Sequence, residues 1–238
     1  MNFWLQHLPV LPIIIPLLAG AGMLLLADTR RYTRGAIAAL STLAQLAAAI
    51  ALLAVAGGAV PGVWPDGVGV YLVGDWPAPF GIVLVADRLS ALMVLLTCVL
   101  ALALLPYALG RWQHRGGHFQ PLLQFLLMGL NGAFLTGDLF NLFVFFEVML
   151  AASYGLLLHG TGRARVGAGL HYIAVNLLAA MLFLLGVSLI YGTTGTLNMA
   201  DLATRIPRLT DAERPMVHAA AALLAGAFLI KAAMWPLC

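Results

Sequence analysis

Formal charge is scarce in this chain. Only 9% of its 238 residues are Asp, Glu, Lys or Arg, against about 25% in an ordinary soluble domain. With 63% hydrophobic residues beside so few charges, a solvated globular domain is excluded and the class is all-α, a polytopic membrane protein. Lysine is nearly missing, Lys231 being the single one. Cysteine is nearly missing too: Cys98 lies inside an apolar run and Cys238 is the last residue. Two cysteines without motif spacing suggest neither a disulfide framework nor a metal site. No Lys or Arg precedes the first apolar run, whereas Arg30, Arg31 and Arg34 follow it. This reverses the charge order of a secretory signal and implies a retained first helix with its amino end outside. There is no nucleophile constellation and no cofactor motif, so neither a cofactor nor an enzyme activity is expected. GTGRARVG, from Gly160, follows an apolar helix where a dinucleotide cradle needs a strand. His114 and His118 sit in a loop without a third ligand, which speaks against a metal. The net charge of +3 gives no ground for a nucleic-acid partner.

What the chain does contain is a series of apolar runs. Seven spans are expected, at residues 10–27, 35–55, 89–109, 121–137, 139–158, 166–191 and 216–235 of one membrane domain. Between the second and third, residues 57–87 are rich in Gly, Pro and Asp, and Val68, Val70 and Leu72 alternate as in a short extracytoplasmic hairpin. The fourth span carries Gln124 and Asn131, and the tight turn at Gly137 and Asp138 makes it an antiparallel neighbour of the fifth. Residues 192–214 read as a surface segment in which Leu202, Ile206 and Leu209 mark one face of a short interfacial helix. Pro215 suits the first turn of the seventh span.

With the amino end outside, the loops after the first, third and fifth spans face the cytoplasm. They hold Arg30, Arg31, Arg34, Arg111, Arg115, Arg163 and Arg165, seven of the twelve cations. The outer side receives four arginines together with seven carboxylates. This is the positive-inside asymmetry, and it accounts for the basic isoelectric point without an anionic partner.

One carboxylate breaks the apolar pattern. Glu147 is the ninth residue of LFNLFVFFEVMLAASYGLLL, Leu139 to Leu158, a run whose rise of about 30 Å matches the hydrocarbon thickness. An ionised group there costs at least about 2.5–3.5 kcal/mol, so it is neutral, paired or turned to a hydrated cavity. Lys231, in LLAGAFLIKAAMWPL, is its obvious partner. Counted at helical rise from the outer ends, Glu147 lies about 14 Å deep and Lys231 about 24 Å, which favours a water-mediated relay over direct contact. A static ion pair that fixes helix packing is the plainer alternative. Asp138 begins the same helix and serves its positive end as a cap, with guidance of ions at the entrance as the second reading. Asn141 is three residues on and can line the same mouth. Tyr154 is seven residues after Glu147 on its face, either as packing or as part of a path. His171 titrates near neutrality and can extend a proton path, or it is an interhelical histidine about one turn into its span. His159 and His218 lie near helix ends and carry less signal.

Four segments carry a resemblance: GDWPAPFGIVLVADRLSALM, GDLFNLFVFFEVML, GLHYIAVNLLAAMLFLLGVSLIYGTTGTLNMADLA and FLIKAAMWPL. They resemble the antiporter-like subunits shared by Mrp-type multisubunit sodium/proton antiporters and respiratory complex I, the D subunit of the Mrp type above all. The resemblance implies a fold of fourteen helices in two inverted repeats, with the helix-five glutamate and the helix-seven lysine as one proton-translocation unit. It also implies that helix seven is interrupted, with Pro236 at the break, where freed backbone groups can hold water or an ion. The family continues beyond that proline, so the chain reads as the amino-terminal half of the fold, its carboxy-terminal half missing. Implied partners are other membrane subunits of the complex, protons, sodium and the lipid of a bacterial-type inner (cell) membrane. Three functions follow: a cation/proton antiporter subunit, a proton-pumping subunit of a redox complex such as an NADH-quinone oxidoreductase or membrane-bound hydrogenase, or a membrane scaffold that transports nothing.

Overall fold

Helix follows wherever apolar runs lack an internal turn signal, because a backbone in hydrocarbon must satisfy its polar groups within its own segment. A computed structural model describes residues 3–27, 29–64, 66–112, 118–160 and 162–234. After a single turn at Phe3–Gln6 and a tight 3-10 turn at Leu8–Val10, the principal helices are α1 (Leu11–Leu24), α2 (Arg31–Ala56), α3 (Arg88–Tyr107), α4 (Phe119–Leu135), α5 (Leu139–Leu157), α6 (Arg163–Thr194), α7 (Met199–Arg205) and α8 (Arg214–Lys231). Of these, α2, α3, α5, α6 and α8 are long and apolar enough to cross a membrane, and α1 and α4 are shorter apolar helices. Two short strands, β1 (Gly69–Leu72) and β2 (Val83–Ala86), pair in the polar connection between α2 and α3.

The chain groups into two compact units. The first comprises Met1–Tyr71, Leu84–Thr136 and Phe145–Thr161; the second comprises Leu72–Val83, Gly137–Val144 and Gly162–Cys238. In the first, Ile13, Leu52, Val94, Cys98, Leu135 and Phe145 belong to one buried cluster. Small residues let α4 and α5 approach closely. A methyl group added at Gly129 would stand 2.7 Å from Met149 Cβ and 2.8 Å from its backbone nitrogen. At Gly132 it would meet the Phe145 ring at 2.3 Å. Arg88 closes the end of α2 by donating to the Ala56 carbonyl at 3.0 Å. In the second unit α6 packs on α8, with Gly186 against Leu224 and the Ala220 carbonyl.

Two helix starts have local causes visible in the sequence. Asp87 accepts from the Ser90 amide at 2.7 Å while the Ser90 hydroxyl accepts from the Asp87 amide at 2.8 Å, a capping box for α3. Asn198 accepts from the amides of Ala200 and Asp201, both at 3.1 Å, and so starts α7. The interfacial helix is shorter than its expected segment: only Leu202 of its apolar face is buried, and Ile206 belongs to a following 3-10 turn. Arg34, expected in a loop, is instead in the first turn of α2 and only 3% exposed, donating to the Leu26 carbonyl. Helix α2 starts at Arg31, earlier than the apolar run.

Candidate functional site

The helix that carries Glu147 starts at a buried carboxylate. Asp138 is 7% exposed and accepts from the Asn141 backbone amide at 2.9 Å, so it caps α5 as expected. The chain around it is tied to the segment before α7: Leu139 donates to the Leu197 carbonyl at 3.0 Å, and Met199 to the Gly137 carbonyl at 2.9 Å. Asp138 and Asn198 form the bridge between them. Two helix amino ends therefore begin side by side in the second unit, each with its own buried cap. Asn141 is buried in that same corner, with Thr194, Thr196 and Asn198. Arg205 completes it, donating to the last carbonyl of α6, that of Thr194, at 2.9 Å and to Asp201 Oδ1 at 3.0 Å. The hydrogen bond from Arg205 holds the Asp201 carboxyl below its ordinary value.

Glu147 sits on α5 two turns further on, half-buried, with Oε1 shielded from solvent. Phe145, Met149 and Ala152 form the side of α5 that is buried or packed against α4. At 100° per residue Glu147 and Tyr154 project from the opposite side, and Tyr154 is half-buried. Phe143 lies one turn before Glu147 on this second face. Its ring stacks on Phe183 of α6, centroids 5.8 Å apart, and Phe183 meets Phe228 of α8 edge to face at 5.7 Å. Lys231 is three residues beyond Phe228, the last residue of α8, with Nζ shielded from solvent. Within the second unit Lys231 thus follows Phe228, an end ring of this ladder, by one turn of its own helix.

The remaining candidates separate from this group. Because α6 begins at Arg163, His171 lies about two turns into its helix, where the sequence reading places it about one turn in. It is exposed among the described residues. Pro236 lies outside the described residues. His159 is buried at the end of α5, its ring edge to face with Phe119 at 5.3 Å. Sequence reasoning missed Thr196 and Asn198, although an Asn directly before MADL is a helix-start signal. It also missed the ladder, because phenylalanines in apolar runs carry no pattern that predicts which rings meet.

Five helices long and apolar enough to cross a membrane, together with two shorter apolar helices among the described residues, define a polytopic membrane protein. Residues 136–238 match the family described as "NADH:quinone oxidoreductase/Mrp antiporter, TM". Over its whole length the chain is 59% identical to the probable K(+)/H(+) antiporter D subunit of Rhizobium meliloti (strain 1021), of which it covers 44%. It is 39% identical to the Na(+)/H(+) antiporter D subunit of Alkalihalophilus pseudofirmus, over 98% of this chain and 46% of that one. The solved structure of the Mrp complex from Dietzia sp. DQ12-45-1b matches with a TM-score of 0.86 at 36% identity, over 100% of this chain and 42% of that one. The chain is a homologue of these antiporter subunits and shares their antiporter-like membrane fold. It spans less than half the length of these relatives.

Proposed function

We propose that this chain is part of a subunit of a multisubunit monovalent cation/proton antiporter, in which Glu147 and Lys231 carry protons. The observation that supports this reading best is that Glu147 Oε1 and Lys231 Nζ, each on an apolar helix, are both shielded from solvent. The two charges are opposite, so a proton gained or lost at one changes the electrostatic field at the other. Their protons therefore move in coupled steps, and a change of partner or hydration at one passes charge to the other. Asp138 and Asn141 form the entrance, the capping carboxylate drawing cations toward the start of α5. Tyr154 and His171 extend the path. Partners are the other membrane subunits of the complex, protons, a monovalent cation and the lipid of the cell membrane, with the amino end outside. Sodium is the cation the resemblance suggests, while the relative at 59% identity is named for potassium.

The test uses the full-length protein in its assembled complex. Glu147→Gln and Lys231→Ala each abolish cation-driven proton exchange in everted vesicles while the complex remains assembled. Wild-type exchange in either variant would remove these two residues from the path. A second reading, a proton pump driven by a redox complex, is favoured by the NADH:quinone oxidoreductase in the matching family's description. Copurification of flavin or iron–sulfur subunits would select it over antiport.

A further inference from the structure

The first unit contains a buried polar system between α2 and α4. On α4, Gln120, Gln124 and Asn131 lie at positions i, i+4 and i+11, within one narrow face, and span about 16 Å of rise. All three are buried, at 3%, 0% and 0% exposure. Opposite them α2 presents Ser41, Thr42 and Gln45, equally buried. Gln124 Oε1 accepts from the Ser41 hydroxyl at 2.9 Å and from Gln45 Nε2 at 3.0 Å. Asn131 Nδ2 donates to Gln45 Oε1 at 3.1 Å and to the Pro12 carbonyl of α1 at 2.9 Å. The middle of this column is closed by bonds between protein groups. Its two ends are not: among the described residues both amide atoms of Gln120 and the Oδ1 of Asn131 are buried without a hydrogen-bond partner.

Such atoms specify their ligand. Gln120 offers two donors and an acceptor at one place, and Asn131 offers an acceptor, a demand that water meets because it both donates and accepts. A bare cation does not fit, since the column contains no carboxylate. The pairing of Gln124 with Ser41 and of Asn131 with Gln45 shows α2 and α4 running parallel, which puts Gln120 about level with the buried Arg34 to Ala38 turn. The column is also separate from Glu147. The face of α4 that carries Gly129 and Gly132 packs on α5, and at 100° per residue it is centred about 130° round the helix from the face that carries the amides. We infer that the α2–α4 face is an internal water-binding column, hydrated from its Gln120 end and distinct from the carboxylate site.

The experiment uses the full-length protein in its complex with Cys98 and Cys238 replaced by Ala, and single thiols introduced by Gln120→Cys, Ser41→Cys and Leu126→Cys. Silver ion, which follows water-sized openings, is applied first, and the thiols left unreacted are then counted with a maleimide after denaturation. Gln120→Cys and Ser41→Cys are expected to be blocked at least about ten-fold faster than Leu126→Cys, which lies within about 3 Å of rise of Gln124, the partner of Ser41, on a different face. Equal rates at all three positions, whether slow or fast, overturn the inference. Should Gln120→Cys fail to assemble, Ser41→Cys changes a single atom and gives the same comparison alone. Antiport is not read here, so this result and that of the Glu147 and Lys231 variants stand apart.

Discussion

Pro16 has no amide hydrogen, so the carbonyl four residues earlier, that of Pro12, loses its partner within α1. In hydrocarbon that oxygen needs another donor, and Asn131 of α4 supplies it at 2.9 Å. Asn131→Ala is therefore expected to destabilise the protein by about 1–3 kcal/mol, the cost of a buried acceptor left alone. In a Pro16→Ala background, where an amide returns to α1, the same substitution is expected to cost at least about 0.5 kcal/mol less. Thermal unfolding of the four proteins in detergent checks the coupling; additive losses would mean that the Pro12 carbonyl is not the shared partner. At Asp87 the effect is on pH. The Ser90 amide lowers the carboxyl from its ordinary value of 3.8. A depressed folded value gives stability that is present above 3.8 and lost as acid protonates the group through its lower folded value. Asp87→Ala is expected to cost about 1 kcal/mol at neutral pH and less in acid, a convergence readable from melting curves across the acid range.

Helices in lipid gain little from burying one apolar side chain against another, so close approach decides how they pair. Gly129 faces the backbone of Met149, which cannot move aside, whereas a methyl group at Gly20 meets only the ring edge of Phe125, at 2.9 Å. Gly129→Ala is accordingly expected to cost about 1–3 kcal/mol by overpacking, and Gly20→Ala less, because a ring can turn. Comparison of the two melting temperatures decides it. The caps at Asp87, Asp138 and Asn198 are local and could be read from spacing. Which helix each amino end would sit beside could not.

For the whole chain, the distribution of arginines sets the expected sidedness. With the amino end outside, a thiol placed by Asp66→Cys is expected to react with an impermeant maleimide added to intact cells, and one placed by Arg163→Cys only after the membrane is opened. The reverse pattern would invert the orientation, and with it the direction in which Asp138 opens. Glu147 belongs to the first compact unit and Lys231 to the second, so the loss of exchange expected from Glu147→Gln and Lys231→Ala tests whether the two units work as one path.

By itself the sequence determined the helices, since uninterrupted apolar runs leave a backbone in lipid no other way to satisfy its hydrogen bonds. It also determined where charge is anomalous, because a carboxylate amid phenylalanines stands out against any apolar background. Tertiary structure alone decided that Asn131 serves Pro12, that three distant phenylalanines form one ladder, and that Gln120 and Gln124 share a face with Ser41 and Gln45. Those contacts join residues tens to more than a hundred positions apart, and side chains of similar polarity carry no mark of which distant neighbour they will meet.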